Sequence, residues 1–241
     1  MRFAHPIFLV AALVLALVRP VYAEEAVNGP LYTVVYFEVD PTEAAQTAAA
    51  ARQYAEASSK EDGNLAFEMF QEIARPSRFA VLEVWRDKNA GEAHGKAAAA
   101  TTLGQKLKTS MIDGFGERPH TGLSVVPAKG QVPAGAIYVL THVDVFPTFK
   151  DQATELVKAQ ADAARKDDGN LGYDVLQWDG HPNHFTLVEA WRDRKAFDAS
   201  AAAAHTKEFR QKLTPLEGAL YDERLYQTVR LRAVPHPPPR T

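Results

Sequence analysis

The sequence predicts an α+β protein built from two similar βαββαβ repeats, which pack together as a pseudo-dimeric α/β barrel. Two repeated stretches lead to this prediction. The hexapeptide KEDGNL at 60–65 returns as KDDGNL at 166–171, 106 residues later. The same offset aligns FAVLEVWRD at 79–87 with FTLVEAWRD at 185–193. A match that keeps one register over such a long interval indicates a duplicated domain rather than a solenoid repeat.

The first repeat contains strands and helices in a fixed order. Residues 31–39 are rich in β-branched and aromatic side chains, which is typical of a strand. Pro41 then opens an Ala-rich helix that ends near Ser59, and Gly63 supplies the left-handed residue that closes its end. The remaining predicted elements are strands at 65–73 and 79–86, a helix at 89–108 and a short fourth strand at 123–126.

The second repeat predicts the same order, which is the ferredoxin-like arrangement in each unit. Its predicted elements are strands at 137–145, 171–178, 185–191 and 225–229, and helices at 149–166 and 196–212. The two hexapeptides lie at the corner between the first helix and the second strand. We interpret them as corners that require glycine, with Leu65 and Leu171 starting the core of the next strand, and not as an active site.

The third strand of the first repeat is apolar on both faces. Val81 and Trp85 share one face with Glu83, whereas Leu82 and Val84 lie on the other. Helices cover only one face of such a sheet, so the other face needs a second sheet. We expect the sister repeat of the same chain to supply it. A homodimer in which each repeat pairs with one from another chain is the alternative.

Composition limits the function classes. The chain has 241 residues and a formal net charge of −3, which does not favour a nucleic-acid partner. Its apolar content of 46% is that of an ordinary globular protein. The absence of cysteine excludes disulfides, thiol nucleophiles and cysteine-based zinc sites.

The N-terminus has the pattern of a secretory signal peptide, which we place at 1–23. Arg2 gives a positive start, residues 7–18 are apolar, and Val21-Tyr22-Ala23 offers small residues for cleavage before Glu24. We therefore expect a periplasmic or secreted protein that does not contact the membrane after cleavage. An uncleaved membrane anchor is the alternative. The last residues, 231–241, are Pro-rich and predict an extended tail.

The motif E-x-W-R-D at 83–87 and 189–193, followed by an Ala-rich helix with a histidine, resembles the antibiotic biosynthesis monooxygenase family of small dimeric α/β-barrel domains. The resemblance covers residues 31–126 and 137–230, which we take as the two repeats. The family includes quinol and polyketide oxygenases, haem degraders and members with no assigned activity. The motif therefore specifies the fold better than the activity.

The histidines differ between the repeats. Quinol-monooxygenase-like members carry His at nine and at fourteen residues after the Trp. Here His94 lies nine residues after Trp85, and His205 lies fourteen residues after Trp191. On one continuous helix these two positions would point about 140° apart. We therefore expect two chemically unequal clefts, and we favour the first as the competent one.

The resemblance implies a site between sheet and helices in each repeat, where a small aromatic molecule such as a quinol reacts with dioxygen without a metal or flavin. A histidine would accept the phenol proton, and aromatic walls would hold the flat ring. The candidate catalytic residues are His94 and His205. The candidate substrate-binding residues are Tyr32, Phe67 and Trp85 in the first repeat and Tyr138, Tyr173 and Trp191 in the second.

Other interpretations remain open for these residues. Trp85 and Trp191 are better explained as core residues than as substrate walls. Glu83 and Glu189 can be explained as partners of a helix residue or as acceptors for the indole N–H groups. His181-Pro182-Asn183-His184 could hold a metal but fits a hairpin turn better, so we predict no metal site. Family members that degrade haem carry Asn on the first strand and a Trp–His pair on the second helix. Here the first strands lack Asn and the second helices lack Trp, so haem degradation is disfavoured. A non-catalytic binding or stress-associated module on the same fold is the alternative function.

Overall fold

A computed structural model of the chain describes residues 29–127, 129 and 132–229. The predicted signal peptide at 1–23 and the predicted tail at 231–241 lie outside the described residues. Within the described residues, no helix has the length and apolar character needed to span a membrane.

The described elements follow the predicted order in both repeats. The first repeat contains β1 (Leu31–Val39), α1 (Ala44–Ser58), β2 (Asn64–Glu72), β3 (Arg78–Trp85), α2 (Lys88–Gly95), α3 (Ala98–Leu107) and β4 (Met111–Ser124). The second contains β5 (Ile137–Asp144), α4 (Lys150–Ala164), β6 (Asn170–Trp178), β7 (His184–Trp191), α5 (Arg194–Ala201), α6 (Ala204–Leu213) and β8 (Asp222–Thr228). Short 3₁₀ turns at Pro41–Glu43 and Pro147–Phe149 lead into α1 and α4.

Three predicted elements were wrong in extent. The fourth strand is not a short strand at 123–126 but runs over Met111–Ser124, because β1 pairs with most of its length despite its glycines and proline. The second helix of each repeat is broken in two. Ala97 and Ala203 adopt extended backbone, with ψ values of 154° and 157°, at the start of α3 and α6. The expected 140° relation between two positions on one continuous helix therefore does not apply.

The strands of both repeats form one closed barrel in the order β1-β3-β2-β8-β5-β7-β6-β4. The last strand of each repeat joins the two halves, since β4 pairs with β1 and with β6, and β8 pairs with β5 and with β2. Among the strands that the structure describes, this exchange leaves no free sheet edge at which another strand could add. The intrachain pseudo-dimer is thus confirmed, in the form of one continuous barrel. Association into a homodimer stays a prediction.

The apolar side chains form a core on each side of the barrel wall. Trp85 and Val81 belong to the core under α1 to α3, and Trp191 belongs to the matching core under α4 to α6. Leu82 lies on the opposite face and packs into the barrel interior, together with residues of both repeats. The predicted alternation of the third strand is therefore confirmed, and the interior of the barrel is the contact between the repeats.

The repeated corner requires its glycine in both copies. Gly63 and Gly169 have φ angles of +79° and +81°. A Cβ atom at Gly63 would lie 2.6 Å from the Cβ of Ala90, so even alanine would collide with α2. The expectation that Leu65 starts the strand core was wrong, because this side chain is 56% exposed, whereas Leu171 packs against the barrel interior.

Candidate active site

His94 is buried in the first repeat against two aromatic rings. It lies on α2 and is only 4% exposed. Its imidazole stacks on the indole of Trp85, with 4.5 Å between ring centroids, and meets the edge of Phe67 at 5.4 Å. Strands β2 and β3 thus present their aromatic side chains to the helix that follows them, which brings three of the predicted site residues together.

Both nitrogens of His94 have hydrogen-bond partners that the sequence analysis did not identify. Nδ1 lies 2.9 Å from a carboxylate oxygen of Glu61, and Nε2 lies 2.7 Å from the hydroxyl of Tyr54. An ionised carboxylate only accepts, so Nδ1–H donates to Glu61 and the free Nε2 accepts from Tyr54. Burial, followed by the nearby Glu83 and Glu61 carboxylates, raises the pKa of Tyr54 far above its usual range, which keeps this hydroxyl protonated.

Glu83 lies beside this group. It accepts the indole N–H of Trp85 at 3.0 Å, and its other oxygen lies 3.8 Å from Nε2 of His94. Burial raises the pKa of Glu83, although the indole hydrogen bond and His94 oppose that rise. In the second repeat, Trp191 donates to Glu189 in the same way at 2.9 Å. The interpretation of both glutamates as indole acceptors is confirmed.

His205 has a different environment in the second repeat. It lies on α6, and its side chain is 27% exposed. Nε2 lies 3.0 Å from Asp167, to which it donates, and Nδ1 accepts from the Thr206 hydroxyl at 3.2 Å, with the Gln160 side-chain oxygen 3.1 Å away. Among the described ring contacts, Trp191 meets Phe197 and has none with His205. The second repeat therefore does not bring its predicted catalytic histidine onto its tryptophan.

The partners of the two histidines occupy equivalent positions. Glu61 and Asp167 are each the second residue of the repeated hexapeptide, 106 residues apart. Tyr54 and Gln160 are separated by the same interval. Each repeat therefore uses the same two positions to hold one histidine, although that histidine comes from the second helix segment in one copy and the third in the other. The hexapeptide, interpreted from the sequence as a structural corner alone, also supplies this carboxylate.

The two repeats also differ in the groove beside the corner. In the first, His94 forms part of the lining of an open groove of about 530 Å³. The other lining residues are mostly alanines of α2 and α3, with charged residues at the corner: Ala90, Ala93, Ala97, Ala98, Ala99, Asn89, Glu61, Asp62 and Arg86. The matching groove of the second repeat has about 270 Å³ and has Ser200 at the place of His94. His205 is not among its lining residues.

The predicted substrate-binding residues fall into two groups. Phe67 and Trp85 lie with His94, and Tyr173 and Trp191 lie in the equivalent core of the second repeat. The expectation that Tyr32 and Tyr138 share these clefts was wrong, since both pack into the barrel interior. Alternation along the strand explains this placement, because the preceding residues, Leu31 and Ile137, take the helix-covered face.

The sequence His181 to His184 lies at the turn between β6 and β7, as predicted. The imidazoles of His181 and His184 stack with 5.1 Å between centroids, and Nδ1 of His184 lies 3.2 Å from Asp144. Within the part of the chain that the structure describes, no three His, Asp or Glu side chains come together as a metal site would require.

Comparison with known proteins agrees with this architecture. The model of one family, antibiotic biosynthesis monooxygenase, matches residues 30–103 and 136–212. No curated protein matches the chain. Among solved structures, a proposed monooxygenase from Fusobacterium nucleatum aligns with a TM-score of 0.77 at 16% identity, covering 85% of this chain and 94% of that one.

Two further structures align over both repeats. A proposed monooxygenase from Lactobacillus acidophilus gives a TM-score of 0.70 at 15% identity, covering 83% of this chain and 94% of that one. An anthrone oxidase-like protein gives a TM-score of 0.66 at 13% identity, covering 84% of this chain and 92% of that one. At these identities the likeness establishes a shared fold and leaves the activity to be argued from the site.

Proposed function

The chain belongs to the antibiotic biosynthesis monooxygenase family, and on this premise we propose that it is an exported, cofactor-independent monooxygenase of quinol-like or polycyclic aromatic phenols. Dioxygen is the co-substrate, and the chemistry takes place at the groove of the first repeat. The export in this proposal rests on the signal-peptide pattern at 1–23.

The observation that carries the proposal is the chain of hydrogen bonds from Glu61 through His94 to Tyr54. Glu61 fixes the imidazole in the form with the proton on Nδ1, which leaves the basic Nε2 directed at a hydroxyl group. A carboxylate that orients an imidazole toward a hydroxyl is a general arrangement for moving a proton from that hydroxyl. A substrate phenol that replaced the Tyr54 hydroxyl, or that donated to it, would lose its proton to His94 by this route.

The reaction needs no external reductant. Loss of the phenol proton gives an electron-rich phenolate, which passes one electron to dioxygen, and the two radicals combine at a ring carbon as a peroxide. Loss of water from the peroxide leaves one oxygen atom on the ring as a carbonyl. A hydroquinone plus dioxygen thus gives a hydroxyquinone plus water. His94 takes up the phenol proton and returns it to the outer oxygen of the peroxide. The O–O bond then breaks while the same ring carbon loses its hydrogen as a proton, and the departing hydroxide takes up that proton and leaves as water.

The groove fits a flat, apolar substrate. Its walls are mainly alanine side chains, which leave room for a fused ring and offer it no hydrogen bonds. Trp85 lies behind His94 and is 1% exposed, so its ring supports the imidazole rather than the substrate. The smaller groove of the second repeat has Ser200 in place of His94 and no histidine among its lining residues. We therefore assign the reaction to the first repeat.

A non-catalytic binding module is the second candidate function, and one observation favours it. The four helix-side aromatic residues predicted as substrate walls are each less than a tenth exposed, and they pack as core. Such packing would be sufficient for a scaffold that binds small molecules in its grooves without reaction.

Oxygen consumption distinguishes the two candidates. Mature protein would be incubated with a panel of hydroquinones and hydroxylated polycyclic aromatics, and uptake compared with buffer and with heat-denatured protein. The monooxygenase proposal expects saturable oxygen uptake with hydroxyquinone product, unchanged by a metal chelator. Uptake at the buffer rate across the panel, together with ligand binding by calorimetry, would establish the binding module instead.

A further inference from the structure

A second cavity is lined by residues of both repeats, and His94 is not among them. Its volume is about 970 Å³, and residues of β1, β4, β5 and β8 line it. Tyr36 and His142 meet inside it edge to face, with 5.1 Å between ring centroids. These two residues are one repeat length apart and occupy the same place on β1 and β5. The cavity therefore lies where the two repeats meet.

The arginines of this cavity are equivalent but are not equally neutralised. Arg118 pairs with Val34 on β1, and Arg224 pairs with Leu140 on β5, in matching registers. Arg224 forms an ion pair with Asp222, with 3.0 Å between its Nε and the carboxylate. The position that matches Asp222 in the first repeat is Gly116. The first repeat therefore lacks the carboxylate that neutralises the arginine of the second.

Arg118 has no ion-pair partner among the residues that the structure describes. Its guanidinium lies over the rings of Trp178 and Tyr36, at 5.0 Å and 5.4 Å from their centroids. One nitrogen lies 3.3 Å from Nδ1 of His142, to which it donates. Burial, then the Arg118 charge, lowers the pKa of His142 to about 3, so this imidazole accepts the hydrogen bond as a neutral group. Two rings and a neutral base hold the cation in place without removing its charge.

The cavity also contains a hydroxyl group without a partner. The Tyr36 hydroxyl is buried and makes no hydrogen bond among the described residues. A buried donor without an acceptor is unfavourable, and a ligand oxygen would satisfy it. Arg118 and Tyr36 thus offer a positive charge and a donor from adjacent strands. Among the described residues, Arg118 has no carboxylate as counter-ion, and the Tyr36 hydroxyl has no acceptor.

We propose that this cavity binds the carboxylate of a small aromatic acid, with Arg118 and Tyr36 as its hydrogen-bond donors. A guanidinium binds a carboxylate through two parallel hydrogen bonds. Four carboxylates line the cavity: Glu38 and Asp222, which are paired with Arg78 and Arg224, and in addition Asp113 and Asp144. The site therefore suits a single negative charge placed at Arg118, because these carboxylates would repel a dianion. The rings that line the cavity provide a surface for the apolar part of the acid.

Calorimetric titration of the full mature chain with benzoate and 2-naphthoate tests this proposal. We expect at least one of the two to bind saturably, and benzamide and inorganic phosphate to bind at least about 10-fold more weakly. Arg118→Gln should weaken the carboxylate by about 10- to 100-fold, the range for losing a charge-assisted hydrogen bond. No saturable binding of either acid, or equal binding of benzoate and phosphate, would overturn the proposal.

Gly116 offers a matched pair of variants that leaves Arg118 intact. Among the described residues other than its chain neighbours, a Cβ atom at Gly116 would meet only the Tyr36 carbonyl oxygen, at the ordinary contact distance of 3.8 Å, so a side chain can start there without a collision. Gly116→Asp recreates the arrangement at Asp222 and should reduce acid binding by at least about 10-fold by neutralising Arg118. Gly116→Asn has the same shape without the charge and should stay within about twofold of the parent. Equal affinities for the two variants would overturn the role of Arg118.

Discussion

The carboxylate of Glu61 lies 2.9 Å from Nδ1 of His94, although 33 residues separate them along the chain. This contact joins the corner after the first helix to the helix that follows the third strand. It leaves Nε2 facing the Tyr54 hydroxyl. The contact thereby determines which nitrogen of His94 is basic and where that nitrogen points, which are the two properties that a proton acceptor needs.

Replacing Glu61 by Gln should reduce turnover without abolishing substrate binding. The amide no longer holds the proton on Nδ1. In a larger fraction of the molecules, His94 therefore carries its proton on Nε2, and Nε2 is then unable to accept the substrate proton. We expect kcat to fall about 10- to 100-fold, which is less than the roughly 10²- to 10⁴-fold lost when the base itself is removed, with KM changed less than about twofold. Asp167→Asn is the matched control in the second repeat and should leave kcat unaffected.

Nitrogen NMR of the histidine side chains would test the same role independently of activity. The parent protein should show His94 as the Nδ1–H form, and Glu61→Gln should lose this preference. If both proteins showed the same tautomer and the same kcat, Glu61 would have no positioning role.

The strands and the barrel could be predicted from the sequence. The alternation of side chains along the third strand indicates a sheet with two apolar faces, and the 106-residue register indicates a second copy of that sheet. The length of β4 could not be predicted. Its Gly114, Gly116 and Pro119 resemble a loop, and pairing of this segment with β1 makes it a strand. The end of β4, from His120 to Ser124, also pairs with β6 of the other repeat. Pairings across such separations overrule local propensity.

The site was predictable only in part. The spacing of Trp85 and His94 correctly brought these residues together. The break at Ala97 lies within a run of alanines that favours a continuous helix, so nothing local marks it. Glu61 was missed because the hexapeptide around it is fully explained by the corner that it forms. Its partner, His94, lies 33 residues further along the chain. The recurrence of an acidic residue at the same hexapeptide position, Asp167, was the available signal.

The corner glycines should be intolerant of any side chain. Gly63→Ala places a Cβ in a left-handed conformation and 2.6 Å from the Cβ of Ala90. We expect the free energy of unfolding to fall by about 1–3 kcal/mol from strain and displacement of α2. Gly104→Ala, on α3 with nothing within 4 Å, is the control and should be neutral or stabilising. Urea denaturation of both measures the difference, and an unchanged midpoint for Gly63→Ala would contradict the requirement.

Glu189 should make the stability depend on pH. Burial, then the neighbouring Glu223, raises its pKa from 4.5 to about 8 in the folded protein. Between pH 4.5 and pH 8, the carboxyl group of Glu189 is deprotonated in the unfolded chain and protonated in the folded protein. The contribution of Glu189 therefore falls as pH rises from 4.5 to 8, is fully unfavourable above 8, and vanishes below 4.5.

Glu189→Gln should remove that dependence while keeping an acceptor for the indole of Trp191. We expect the variant to gain stability relative to the parent as pH rises, on the order of a few kcal/mol at pH 8 and above. Thermal unfolding from pH 4 to pH 9 measures the gap. A gap that stays constant over this range would show that Glu189 titrates normally.

The N-terminal pattern predicts a processed protein outside the cytoplasm. Arg2, the apolar stretch at 7–18 and Val21-Tyr22-Ala23 together predict cleavage before Glu24. N-terminal sequencing of protein isolated from the periplasm or medium of its native host should begin at or near Glu24. An intact start at Met1 or Arg2 would contradict both the processing and the localisation.

Oxygen uptake by two single variants tests the central claim, that the groove of the first repeat carries the reaction, most directly. The assay compares His94→Ala and His205→Ala with the parent on the best substrate of the phenol panel, after circular dichroism has shown that both variants are folded. Loss of the base should lower kcat about 10²- to 10⁴-fold in His94→Ala, whereas His205→Ala should keep the rate of the parent. Equal losses in the two variants, or undiminished uptake by His94→Ala, would contradict the account.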